Sequence, residues 1–138
     1  MKVLIDTNVL VSAVLNPKGA PSRALAKVVA VPKQGIVCEQ NIDELIRVFG
    51  EKFPRKLEIL DRFLVALLPM LQVVPVPPSS FQSEKKIRDI DDRPILRAAI
   101  EENVDILLSG DKDFLESGIR HPVILSPSQF LEMDDGEP

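Results

Sequence analysis

The stretch Lys2-Val3-Leu4-Ile5-Asp6-Thr7-Asn8 decides how this chain is read. A short apolar run stops abruptly at three small polar residues. Asp, Thr and Asn are favoured where helices begin, because their side-chain oxygens accept hydrogen bonds from the unpaired N–H groups of the first turn. The stretch therefore reads as strand, turn and helix, with the helix over about residues 8–14. The same grammar recurs downstream. After a Pro- and Gly-containing loop, Ser22 is placed to cap a helix over 23–30. Residues 35–38 form a second apolar strand, and Asn41 can cap a helix through Phe49 with Ile42, Leu45, Ile46 and Phe49 on one stripe. A helix opens at Pro54 and runs to about residue 68, and residues 71–76 read as an edge strand because of Pro75. Residues 84–92 are charged and without period. Asp92 can cap a helix that has Pro94 in its first turn and ends near residue 102. Residues 105–108 and 123–125 are the last strands, and a final helix follows over 128–133. Short apolar strands alternating with helices predict an α/β fold with a parallel sheet covered on both faces. One domain over residues 1–133 is expected, with 134–138 as a disordered tail.

Composition narrows the function. The chain has 138 residues, 45% of them hydrophobic and 28% charged, which excludes disordered and collagen-like classes. Trp and Tyr are absent and six Phe are the whole aromatic content, which argues against a stacking platform for single strands. A net charge of −4 does not suit a general basic surface for duplex DNA. One cysteine, Cys38, excludes intrachain disulfides and Cys-based zinc sites, and one histidine, His121, excludes His-pair metal motifs. Cys38 reads as a core residue and His121 as a surface one. The start reaches a charge after three apolar residues, so it lacks a signal-peptide core. The most apolar stretch, 63–78, is interrupted by four prolines and is too short to span a bilayer. The expectation is a cytoplasmic protein with no membrane association.

The carboxylates matter by position. Asp6 and Asp111 each follow a strand, and parallel strands all end on one sheet edge, where open α/β folds place their sites. Asp92 starts the helix that returns to the strand 105–108, so it lies at that edge too. Taking 100° per residue, Ile95, Leu96 and Ala99 fall within about 60° of Asp92, which directs its carboxylate inward. Glu44 lies near a helix start, yet about 160° from the centre of its apolar stripe. Each group also has a structural role open to it: Asp6, Asn8 and Asp92 as caps, Asp111 as a turn residue, Glu44, Asp89, Asp91 and Asp113 as solvated acids. Carboxylates held together repel unless something neutralises them, and a hard divalent cation such as Mg²⁺ or Mn²⁺ does so with oxygen ligands. The common chemistry of such a site is phosphodiester hydrolysis.

The motifs together resemble the PIN-domain family. Val3-Leu4-Ile5-Asp6-Thr7-Asn8-Val9-Leu10 is similar to its opening, and Asp89-Ile90-Asp91-Asp92-Arg93-Pro94 to its second acidic motif. Leu107-Leu108-Ser109-Gly110-Asp111-Lys112-Asp113-Phe114 is similar to the third, and Ser126-Pro127-Ser128-Gln129-Phe130-Leu131 to the usual ending. Ser109 stands where Thr is more frequent, and Ile90 where this branch often has Pro. The branch resembled is that of VapC-like toxins of toxin–antitoxin systems. The resemblance implies a three-layer α/β/α sandwich around about five parallel strands, and Mg²⁺- or Mn²⁺-dependent cleavage of RNA. It implies Asp6, Glu44, Asp92 and Asp111 as catalytic acids and ligands of one or two ions. Thr7, Asn8, Ser109 and Asp113 would support them, and Lys85, Lys86, Arg88 and Lys112 would hold RNA. It further implies a small antitoxin partner and a homodimer. The rival reading is a PIN-like module that binds RNA or protein without cleaving. An aspartyl-phosphate phosphatase fits poorly, because Asn8 stands where its second Asp is needed. A receiver domain fits poorly because Glu39, not Asp, follows the strand 35–38.

Overall fold

The computed structural model describes residues 1–30 and 32–133. The segment expected as a tail, 134–138, lies outside the described residues. Five strands, β1 (Lys2–Ile5), β2 (Gln34–Cys38), β3 (Leu71–Val74), β4 (Ile106–Leu108) and β5 (Val123–Leu125), form one sheet in the order β3-β2-β1-β4-β5. Every pairing is parallel, as the alternation of strands and helices predicts. The helices are α1 (Thr7–Leu15), α2 (Ala20–Val29), α3 (Glu39–Lys52), α4 (Leu57–Leu67), α5 (Arg93–Glu101), α6 (Lys112–Leu115) and α7 (Pro127–Glu132).

Successive residues of a strand face opposite sides, and here both sides are covered. Val3 and Ile5 of β1 pack with Val37, Ile106 and Leu108 under α1, α2, α3, α4 and Phe130 of α7. Leu4 faces the other way with Ile36, Cys38 and Leu107, under Ile95, Leu96, Ala98 and Ala99 of α5 and Phe114 of α6. The result is the expected α/β/α sandwich. Gly35 of β2 sits where a Cβ would meet Leu71 Cδ2 at 2.5 Å and Val28 Cγ1 at 2.8 Å, so the close approach of α2 and β3 requires glycine there.

Element boundaries differ from the sequence reading where prolines and buried polar groups act. Helix α2 begins at Ala20, with Pro21 in its first turn, so Ser22 lies inside the helix rather than capping it. Helix α3 begins at Glu39, so Asn41 is a buried residue of the first turn rather than the cap. The region expected to be irregular holds two 3₁₀ turns, Gln82–Lys86 and Ile90–Asp92. Two contacts hold that region on α5. Arg97 Nη2 donates to Glu84 Oε1 at 2.8 Å and Arg97 Nε to Glu84 Oε2 at 3.2 Å. Arg93 Nε donates to the carbonyl of Ile87 at 3.0 Å. Helix α6 had no expectation attached to it. Among the described residues no helix is long and apolar enough to cross a membrane.

Candidate metal centre

All five strands end on one edge, and the predicted acids arrive there from separate segments. Asp6 follows β1 and is 5% exposed. Its Oδ1 accepts from the N–H of Thr7 at 2.9 Å, which is the cap the sequence suggested. Its Oδ2 accepts from Ser109 Oγ at 2.8 Å. Ser109 is itself fully buried, and its Oγ accepts from the N–H of Asp111 at 3.0 Å. One hydroxyl thus joins the ends of β1 and β4, which is why Ser can replace Thr without loss of that link. Asp111 caps α6, with Oδ1 accepting from the N–H of Asp113 at 2.9 Å. The capping role of Asp6 and Asp111 is met, and a carboxylate that caps a helix keeps further lone pairs.

Asp92 behaves otherwise. It precedes α5, but its backbone is already helical and its side chain makes no capping bond. Its Oδ2 is buried and has no hydrogen-bond partner among the described residues. Burial raises the Asp92 carboxyl pKa to about 8, helped by the charges of Asp111 and Asp6 beside it. Burial likewise raises Asp6 to about 6, with Ser109 and Thr7 opposing and the charges of Glu44 and Asp111 adding to it. At neutral pH Asp92 therefore holds its proton unless a cation replaces it, whereas Asp6 is mostly ionised.

Glu44 lines a cleft together with Asp92 although its stripe pointed it away. The buried face of α3 is Asn41, Leu45 and Phe49, while Ile46 is 48% exposed. Replacing Ile46 by Asn41 turns the buried face, leaving Glu44 about 100° from its centre instead of about 160°. The turn is made possible by two bonds that satisfy the asparagine. Its Oδ1 accepts from the N–H of Cys38 at 3.1 Å, and its Nδ2 donates to Thr7 Oγ1 at 2.9 Å. Burial raises the Glu44 pKa, with the charges of Asp91 and Asp89 adding to it and Arg47 and the Thr7 hydroxyl opposing it. Asn41 is a residue the sequence reading missed as a site component. Asn41→Ala strands a buried N–H and releases Thr7, and is expected to cost about 1–3 kcal/mol in chemical denaturation. A change below about 0.5 kcal/mol, the range of ordinary surface substitutions, would overturn that role.

Among the described residues the acids close enough to share an ion are a different set, in which only Asp92 of the four expected ligands takes part. One carboxylate oxygen each from Asp89, Asp92 and Asp113 lie within 4.8 Å of one another. The available signal was spacing, since residues three apart eclipse in a 3₁₀ turn such as Ile90–Asp92. Beside Asp92 and Glu44 opens a cleft of about 530 Å³, lined also by Gln40, Asp43, Arg47, Asp89 and Asp91. Asn8 Oδ1 accepts from the N–H of Gly110 at 3.1 Å, which ties the first turn of α1 to the loop before Asp111. Of the expected RNA contacts, Lys85, Lys86 and Lys112 are exposed. Arg88 instead donates to Asp113 Oδ1 at 2.9 Å, so its charge is engaged with the acid cluster.

The donor set is all oxygen, and carries an orphaned buried carboxylate oxygen and two acids with raised pKa. Those features suit a hard divalent cation and do not suit zinc or copper.

The chain belongs to the PIN domain family, whose model matches residues 2–113. A relative in Methanocaldococcus jannaschii, an uncharacterized protein, is 29% identical, with 96% of this chain and 90% of the relative covered. Among solved structures the fold is similar to VapBC2 of Rickettsia felis bound to a DNA fragment from its promoter, with a TM-score of 0.68 and 18% identity over 91% of this chain and 98% of that one. It is also similar to FitAcB of Neisseria gonorrhoeae, with a TM-score of 0.66 and 18% identity over 91% of this chain and 98% of that one. A third similar structure is FitAB bound to an IR36 DNA fragment, with a TM-score of 0.67 and 15% identity over 98% and 99% of the two chains.

Proposed function

We propose that this protein is an endoribonuclease that hydrolyses RNA phosphodiester bonds with one or two Mg²⁺ or Mn²⁺ ions held by Asp6, Glu44, Asp92 and Asp111. The observation that carries this reading is the buried, unpartnered Oδ2 of Asp92 beside Asp6 and Asp111. An oxygen that no protein group satisfies is costly to bury, unless a ligand completes it. When bound, the ion supplies positive charge toward the phosphoryl oxygens and acidifies water.

The chain's own residues prepare that chemistry. Ser109 and the N–H of Thr7 fix the Asp6 carboxylate from two sides and leave its remaining lone pairs for a cation. Asn41 and Thr7 orient Glu44 from the neighbouring strand end. The Arg97–Glu84 pair and the Arg93–Ile87 bond hold the segment that carries Asp89 and Asp92. In the metal-free protein Asp92 holds a proton, which it gives up when a cation binds, so ion affinity rises with pH between about 6 and 8. Lys85, Lys86 and Lys112 form an exposed basic rim for the RNA backbone. A toxin role with a small antitoxin and a homodimer belongs to the same reading. Its support is the family and the likeness to VapBC and FitAB assemblies.

The test is cleavage of an end-labelled single-stranded RNA panel with Mn²⁺, Mg²⁺ or EDTA. Wild type should cut only with the ions, and Asp6→Ala and Asp111→Asn should cut slower by roughly two to three orders of magnitude. Equal cutting by wild type and variants would overturn the assignment of these acids. Mn²⁺ binding without cleavage of any RNA would favour a non-catalytic binding module.

A further inference from the structure

A second hollow is lined in part by residues that follow Asp6 and precede Asp111 in the chain. It has a volume of about 310 Å³ and is reached across Asn8 and Gly110, the residues that flank the Asp6 and Asp111 ends of the site. Its lining is uncharged. Asn8, Ser12 and Ser128 contribute the polar groups, and Val9, Pro21 and Pro127 the apolar surface. Because Asn8 Oδ1 is taken by the N–H of Gly110, the Asn8 amide presents its Nδ2 donors, which bond to no protein group among the described residues. Gly110 leaves room there, since a Cβ would meet only Asn8 Oδ1, at 3.7 Å.

We propose that this hollow receives the base of the nucleotide next to the bond that is cut. The proposal rests on the nuclease reading above and names the part of the substrate that the site selects. The two hollows differ in charge. One is lined by the five carboxylates of Asp43, Glu44, Asp89, Asp91 and Asp92, and the other has no charged side chain. A phosphodiester chain crossing the acids carries its charge at the phosphates, and only its bases are both neutral and rich in hydrogen-bonding edges. The neutral hollow fits a base in kind: apolar surface for the ring faces, and an amide and two hydroxyls for the edge. A hydroxyl either donates or accepts, so Ser12 and Ser128 adapt to more than one base, while Asn8 Nδ2 selects an acceptor. A base can enter only if it is unstacked, so the substrate is single-stranded RNA, a loop or a bulge, and not a duplex.

The probes are the four free nucleosides, added at millimolar concentration to the full chain while amide NMR spectra are recorded. The amides of Ser12, Gly110 and Ser128 should shift saturably, more for one or two nucleosides than for the others. Ser12→Phe, which places a ring at the exposed rim of the hollow, should abolish those shifts while Mn²⁺ binding by calorimetry stays unchanged. In parallel, cleavage of a randomised single-stranded RNA should show a base preference at one position beside the cut. That preference should flatten in Ser12→Ala/Ser128→Ala. Shifts lost in Ser12→Phe without cleavage of any RNA would keep the base site and sink the nuclease reading. Ion-dependent cleavage without base preference, and with the three amides unmoved by every nucleoside, would keep the nuclease and overturn the base site. Equal shifts in wild type and Ser12→Phe would overturn it as well, and so would shifts produced by short peptides but by no nucleoside.

Discussion

Asp92→Asn is expected to make the metal-free protein more stable at pH 8 while removing its response to divalent ions and its cleavage of RNA. The carboxyl of Asp92 is pushed up to about 8, first by burial and then by the charges of Asp111 and Asp6. Asp6 is pushed up to about 6, again first by burial. In the unfolded chain both return to the ordinary carboxylate range near 4. Between about pH 4 and pH 8 the folded protein therefore holds more protons than the unfolded one, and stability falls as pH rises through that window. An amide at residue 92 has no proton to lose, so the decline should be shallower. A rise in Tm of about 5 °C at pH 8, shrinking toward pH 5, is the expected scan in EDTA. Wild type should recover with Mn²⁺, because a ligand that binds only the folded state stabilises it by mass action. The variant should not. A variant less stable than wild type at pH 8 in EDTA would show that Asp92 has a structural partner, and the metal-centre reading would lose its main support.

Glu84→Ala is expected to be among the most destabilising single changes outside the two apolar cores. Glu84 is buried, its carboxylate accepts two bonds from Arg97 and one from the N–H of Phe81, and the Arg97 bonds hold its pKa below the usual range. Removing it leaves a largely buried guanidinium without its carboxylate, with only the carbonyl of Pro77 still accepting from it, whereas removing both charges does not. The expected loss in Tm is on the order of 10 °C for Glu84→Ala, with substantial recovery in Glu84→Met/Arg97→Met. Activity separates the two roles of the pair. The segment 82–92 carries Asp89 and Asp92, so the double variant should regain stability and still cleave more slowly if the pair also positions those acids. Full recovery of both would show that the pair serves stability alone. A Tm within about 2 °C of wild type for Glu84→Ala would mean that the segment does not depend on the pair.

The sequence by itself determined the class of fold and the edge where the acids meet. Lys2–Ile5 followed by Asp6-Thr7-Asn8, and Ile106–Leu108 followed by Ser109-Gly110-Asp111, are local patterns. Strand preference and capping act over a few residues, and parallel pairing then places every strand end on one side. The inward aim of Asp92 was equally legible, because helical periodicity is local.

Only the tertiary structure decided which groups touch. Asn41 inside and Ile46 outside reverse the order that hydrophobicity alone would set. The reversal depends on Thr7 and the N–H of Cys38 standing ready as partners. The same holds for Glu84 with Arg97, for Asp89 with Asp113, and for the neutral hollow that opens between Asn8, Ser12 and Ser128. A polar residue is buried when a partner from elsewhere in the chain satisfies it, and that partner is brought by strand register and helix packing. Periodicity along one segment carries no record of it.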